Sequence, residues 1–114
     1  MAKILHVDKW PFSRRLVAEI LTTTGQHEVV SAASVEEATA IVAKHQFDVE
    51  LWHGTDPTFL EAAILRHTEA KKKVLILAQN SSARERAEKL GIAFLSQLQI
   101  ATRLTQAVHK LLAT

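Results

Sequence analysis

The side chains able to do chemistry concentrate in two short stretches. His6, Asp8 and Lys9 lie near the start of the chain, and His53 and Asp56 lie near its middle. A carboxylate such as Asp8 or Asp56 can serve as a nucleophile or, with a second acid, hold a hard divalent cation. An imidazole such as His6 or His53 can take a phosphoryl group or ligate a transition metal, so His6, Asp8 and His53 together would make a small site. Against that site, the sequence has no spaced ligand motif. His6 also sits in an apolar run, where a hydrogen-bonded structural histidine facing a buried interface is the simpler reading. No glycine-rich loop is present to cradle a phosphate. Lys9 is expected to form an internal ion pair with Asp8 or Asp56, filling space a metal would use.

Composition narrows the classes around these residues. The chain has 114 residues, 47% of them hydrophobic, which suits one core and one domain over residues 1–114. The absence of cysteine excludes disulfides, thiolate zinc sites and thiol nucleophiles, and fits a reducing compartment. No apolar run approaches the roughly 20 residues that span a bilayer. The start Met1-Ala2-Lys3-Ile4 lacks the layout of a signal peptide, so a cytoplasmic protein without membrane contact is expected. The formal net charge is +2, and the one basic cluster, Lys71-Lys72-Lys73, has no interleaved aromatics. It reads as a solvated loop, and nucleic acid is not an expected partner.

The elements that must position the chemical residues alternate between the two hydrophobic periods. Ile4 to Val7 reads as a strand ending near Asp8, because Pro11 suits the first turn of a helix and cannot continue a strand. Phe12, Leu16, Val17, Ile20 and Leu21 recur at helical spacing up to Gly25. Val29 and Val30 form a short strand, and Ser34-Val35-Glu36-Glu37 is a capping box opening a second helix. A third strand runs from about Phe47 to Trp52, with His53 at its far end and Gly54-Thr55-Asp56-Pro57 as the turn that breaks it. A helix with Phe59, Leu60, Ala63 and Ile64 follows. Val74 to Ala78 is apolar throughout, as expected of a central parallel strand buried on both faces. Ser82-Ala83-Arg84-Glu85 repeats the capping box, Gly91 ends that helix, Ile92 to Ser96 form a fifth strand, and Leu104, Val108, Leu111 and Leu112 mark the last helix. Trp10 and Trp52 are expected to pack in the core or over the rim. Five strands alternating with five helices predict a doubly wound α/β sheet. Its ligand crevice lies beyond the carboxyl ends of the strands, which gathers Asp8, Lys9, His53, Ala78 and Gln97 at one rim.

Those rim residues carry a resemblance. Lys3-Ile4-Leu5-His6-Val7-Asp8-Lys9 resembles the opening strand of response-regulator receiver domains, which ends in two adjacent acids. Asp48 to His53 resembles the strand ending in the phosphoacceptor aspartate, with Pro57 four residues beyond as in the family. Val74 to Ala78 is similar to the strand ending in a threonine or serine, and Phe94-Leu95-Ser96-Gln97 to the segment bearing an aromatic and then lysine and proline. The resemblance implies a flavodoxin-like (βα)5 fold with a five-stranded parallel sheet in the order 2-1-3-4-5.

Carried over by position, it keeps the scaffold and removes most of the chemistry. Only Asp8 keeps its role. Lys9 stands at the second acid, His53 at the acceptor, Ala78 at the hydroxyl and Gln97 at the lysine. Receiver phosphorylation implies Mg²⁺ held by acids, and an ammonium beside Asp8 implies weak or absent binding of that ion. The resemblance therefore implies a degenerate, pseudo-receiver type: no enzyme, no catalytic residue, no resident metal, and a protein-interaction role in two-component signalling or a phosphorelay. Its partner would be a protein or a second copy, met through the face of the fourth helix, fifth strand and fifth helix. Phe94 is the surviving switch aromatic of that face. Gln97-Leu98 replaces a pair whose peptide is typically cis, and without proline a trans bond is expected. Two alternatives stay open: an atypical receiver phosphorylated on His53 or Asp56, and a structural or engineered scaffold with no signalling partner. Placing the acceptor at Asp56 would set Pro57 immediately after it and move it away from Asp8.

Overall fold

Each strand of the computed structural model, which describes residues 1–114, is followed by a helix, and the first four helices carry the chain back to the end of the sheet where the next parallel strand begins. The order is β1 (Lys3–Val7), α1 (Pro11–Thr23), β2 (Glu28–Ala32), α2 (Val35–Val42), β3 (Val49–His53), α3 (Pro57–Thr68), β4 (Val74–Ala78), α4 (Ser81–Leu90), β5 (Ala93–Ser96) and α5 (Ile100–Leu112), with a 3₁₀ turn over Gln97–Gln99. Local chemistry accounts for most boundaries. Pro11 and Pro57 open α1 and α3, where the missing N–H costs nothing. Ser34 caps α2 by accepting from the Glu37 N–H at 3.1 Å. Gly91 ends α4 in the left-handed region at φ 71°.

The strands pair in parallel in the order β2-β1-β3-β4-β5, the flavodoxin-like order expected of the chain. Side-chain alternation splits the core in two. Ile4, Val49, Leu51, Leu75 and Leu77 pack with Val17, Leu21, Leu104 and Val108 on the α1/α5 face. Leu5, Val7, Trp52, Ile76 and Ala78 pack with Ala38, Leu60, Ala63, Ala83 and Ala87 on the face of α2, α3 and α4. β3 and β4 are buried at every position, as central strands covered on both faces must be.

Several local expectations need correction. β3 begins at Val49 and includes His53, because Phe47 and Asp48 precede the ladder and the Asp48 carboxylate instead accepts the Lys3 N–H at 2.8 Å. Ser82 is no cap: α4 starts at Ser81 behind Asn80, and the Ser82 hydroxyl accepts from the Asn80 amide at 3.1 Å. Phe12 is 75% exposed and does not belong to the core, and of the two places open to Trp10, 55% exposed, the core is excluded. Lys73 is not simply solvated, since its ammonium donates to the Thr114 carbonyl at 2.9 Å and ties down the end of α5. No helix is long and apolar enough to cross a membrane.

Candidate functional site

Strand alternation builds the site at the carboxyl rim of the sheet. Ile4, His6 and Asp8 share one parity of β1 and its exit, and Val49, Leu51 and His53 share the matching parity of β3, so all six side chains point toward α1 and α5. The two strands run in parallel with Val7 opposite Trp52. His6, Asp8 and His53 therefore converge: His6 Nε2 and His53 Nδ1 each lie 3.6 Å from the same oxygen, Asp8 Oδ2. All three residues are buried, at 0%, 1% and 4% exposure.

This convergence is underfurnished with hydrogen bonds. Asp8 Oδ1 accepts the Trp10 N–H at 2.9 Å, while both ring nitrogens of His6 and the Nδ1 of His53 have no partner. At 3.6 Å the imidazole–carboxylate contacts are electrostatic and fall short of hydrogen bonds. The expectation of hydrogen-bonded structural histidines therefore fails for His6, although its burial holds. Loss of hydration pushes the His6 pKa down to about 4 against the attraction of Asp8, with His53 and Arg14 adding to the depression. His6 is thus neutral near pH 7 and carries an N–H that meets no acceptor.

Lys9 does not share this enclosure. Its ammonium turns outward to Asp56, 3.0 Å from Oδ2, in a pair that is 44% and 25% exposed. Of the two partners open to Lys9, the structure selects Asp56, and the space beside Asp8 is taken by imidazoles. Asp56 itself caps α3, accepting the Thr58 N–H at 2.8 Å. The Lys9 hydrogen bond and then that backbone bond hold its carboxyl below the usual range. Ala78 ends β4 with the opposite parity and is buried in the other half of the core. Gln97 opens the 3₁₀ turn after β5 and is partly buried, and the Gln97–Leu98 peptide is trans, as no cis bond occurs in the chain. Phe94 is partly buried beneath the Arg84 guanidinium, 5.4 Å from the ring centroid.

Two contributors escaped the sequence reading. Arg14, one turn into α1, donates to the Asp8 carbonyl at 2.7 Å and closes the rim from the helix side. Gly54 permits a close approach: a Cβ there would sit 2.6 Å from Ile76 Cγ2, so the chain leaves β3 pressed against β4. The Gly54 in the breaking turn was a visible signal for the second. Arg14 had none, because its role depends on how α1 lies over the rim.

The donor set does not suit Mg²⁺, which asks for near-octahedral oxygens. Asp8 is the one carboxylate at the convergence, one of its oxygens is engaged by Trp10, and no group of three or more His, Cys, Asp or Glu side chains is arranged to hold an ion.

Solved response regulators share this architecture. The chain is 26% identical to a response regulator from Thermotoga maritima crystallised in complex with Mg²⁺-BeF, with 97% of this chain and 99% of that one covered at a TM-score of 0.82. The fold is that of a response-regulator receiver. A two-component response regulator of the LuxR family from Aurantimonas is 25% identical over 99% of this chain and 86% of its own, also at 0.82. The receiver domain of a Francisella response regulator superposes at 0.84 over 99% and 98% with 18% identity, a likeness of fold. No family profile and no curated protein matches the sequence. Asp8, Lys9, His53, Ala78 and Gln97 lie at or just beyond the carboxyl ends of β1, β3, β4 and β5.

Proposed function

We propose that this receiver-fold chain is a protein-interaction module of two-component-type signalling whose rim does not take a phosphoryl group. The reading is carried by His53 at the end of β3, enclosed with His6 around Asp8 in place of an acidic, solvent-facing pocket. Ala78 supplies no hydroxyl, Gln97 no ammonium, and Lys9 is committed to Asp56. Without a phosphoryl input, Phe94 and the face of α4, β5 and α5 act as a constitutive docking surface for a protein partner or a second copy. The module has no catalytic residue of its own and works in the cytoplasm.

The test is incubation of the full chain with Mg²⁺ and a small phosphodonor, read by intact mass beside an active receiver. No stable phosphoryl adduct is expected, and none is expected for His53→Asp, since Lys9, Ala78 and Gln97 remain. An adduct on His53 or Asp56 of the unmodified chain would overturn the reading.

A further inference from the structure

Away from the rim, the connection between α1 and β2 meets the C-terminal half of α5 through two histidines. The Nε2 atoms of His27 and His109 lie 3.0 Å apart, with the rings edge to face at 81°. His27 is 7% exposed, and its other nitrogen, Nδ1, accepts the Ala2 N–H at 3.0 Å. This chain of contacts permits one arrangement of protons. A backbone N–H can only donate, so Nδ1 of His27 is bare and Nε2 carries the ring proton. That Nε2–H donates to Nε2 of His109, which must be bare, leaving the proton of His109 on Nδ1. An additional proton has nowhere to go. On His27 it would face the Ala2 N–H, and on His109 it would face the Nε2–H of His27.

We propose that the His27–His109 contact is a proton-operated latch, holding the start of β1, the α1–β2 connection and α5 together only while both rings are neutral. The connection is shaped around the ring. A Cβ on Gly25 would lie 2.6 Å from His27 Cδ2, Gln26 turns the chain at φ 56°, and the His27 N–H is held by the Leu21 carbonyl at 2.9 Å. A hydroxyl pair, Thr24 and Thr105, bridges the same two elements at 2.8 Å without titrating, so α1 and α5 stay in register while the imidazoles part.

The charged groups around His27 act in both directions. Burial is the main influence lowering its pKa, followed by His109 on α5 and the Met1 amine at the start of the chain, while Asp48 before β3 pulls the other way. Asp48 is itself engaged by the Lys3 N–H. Glu28 follows His27 on β2 and is exposed, and Lys110 beside His109 adds positive charge on α5. Because the folded pKa of His27 lies below 6.5, the latch contributes fully above pH 6.5 and is lost as the pH falls below it. Release loosens the end of α5.

Long-range ¹H–¹⁵N spectra of the full chain at pH 7.5 should show Nε2–H on His27 and Nδ1–H on His109. His27 should titrate below 6.5, and amide exchange in the last turns of α5, corrected for intrinsic rate, should accelerate at least several-fold by pH 5 relative to α4. In His109→Gln the amide oxygen accepts the His27 Nε2–H at either pH, so the acceleration should vanish. The opposite tautomer on His27, titration of His27 at or above 6.5, or equal acceleration in His109→Gln would overturn the latch.

Discussion

Glu50 and Asp8 are both buried carboxylates of the same sheet, each 1% exposed, yet they are furnished in opposite ways. Glu50 points to the α2–α4 side, where Arg66 on α3 grips it with two bonds of 2.9 and 2.6 Å and the Trp52 indole adds a third at 3.1 Å. Asp8 points to the α1/α5 side and has one donor, the Trp10 N–H, with two imidazole nitrogens standing off at 3.6 Å. Burial is therefore no guide to role. A carboxylate whose lone pairs are met by charged and neutral donors is a structural tie, and its hydrogen bond raises the Arg66 pKa in turn. A carboxylate flanked by imidazoles at 3.6 Å is held mainly by electrostatic attraction and one backbone donor.

The largest contrast is expected at the Glu50 cluster. Arg66→Ala leaves a desolvated charge with one remaining donor and should cost about 3–5 kcal/mol in denaturant unfolding. A loss under about 1 kcal/mol would erase the distinction between the two acids.

Acidification probes the other side next. His6 is neutral in the fold with a pKa of about 4 against 6.5 when unfolded, so its contribution is present above pH 6.5 and drains away as the pH falls toward 4. The loss should be on the order of 2–3 kcal/mol by pH 4. A His6→Leu variant should show a shallower acid limb in melting temperature against pH, and an unchanged limb would move the acid sensitivity elsewhere.

The smallest effect is expected at Asp8 itself. Asp8→Ala removes one backbone hydrogen bond to a carboxylate and should lower stability by about 1–2 kcal/mol, well short of Arg66→Ala. An unchanged melting temperature would show that the Trp10 bond contributes nothing net.

Much of this architecture was legible in the chain. The all-apolar run Val74 to Ala78 announces a central strand, Pro11 and Pro57 announce helix starts, and the capping box at Ser34 is realised. The identical pattern at Ser82 is not, because α4 begins one residue earlier and puts that serine inside its first turn. Phe12 shows the same limit of pattern reading: it falls on the apolar spacing of α1, but the face of α1 turned to the sheet is the one carrying Ser13, Val17 and Leu21, which leaves Phe12 in solvent.

The order of residues alone determined the strand and helix alternation, the parity that sends His6, Asp8 and His53 to one face, and the presence of Lys9, Ala78 and Gln97 at the rim. Those properties follow from local periodicity and side-chain identity. Which way Lys9 turned, how Arg14 closed over Asp8, that Arg66 reached Glu50 and that His27 met His109 were decided by tertiary structure. Each of these contacts joins residues whose meeting depends on how a helix or loop lies on the sheet, and the hydrogen bonds open to a long or titratable side chain exist only once that packing is in place.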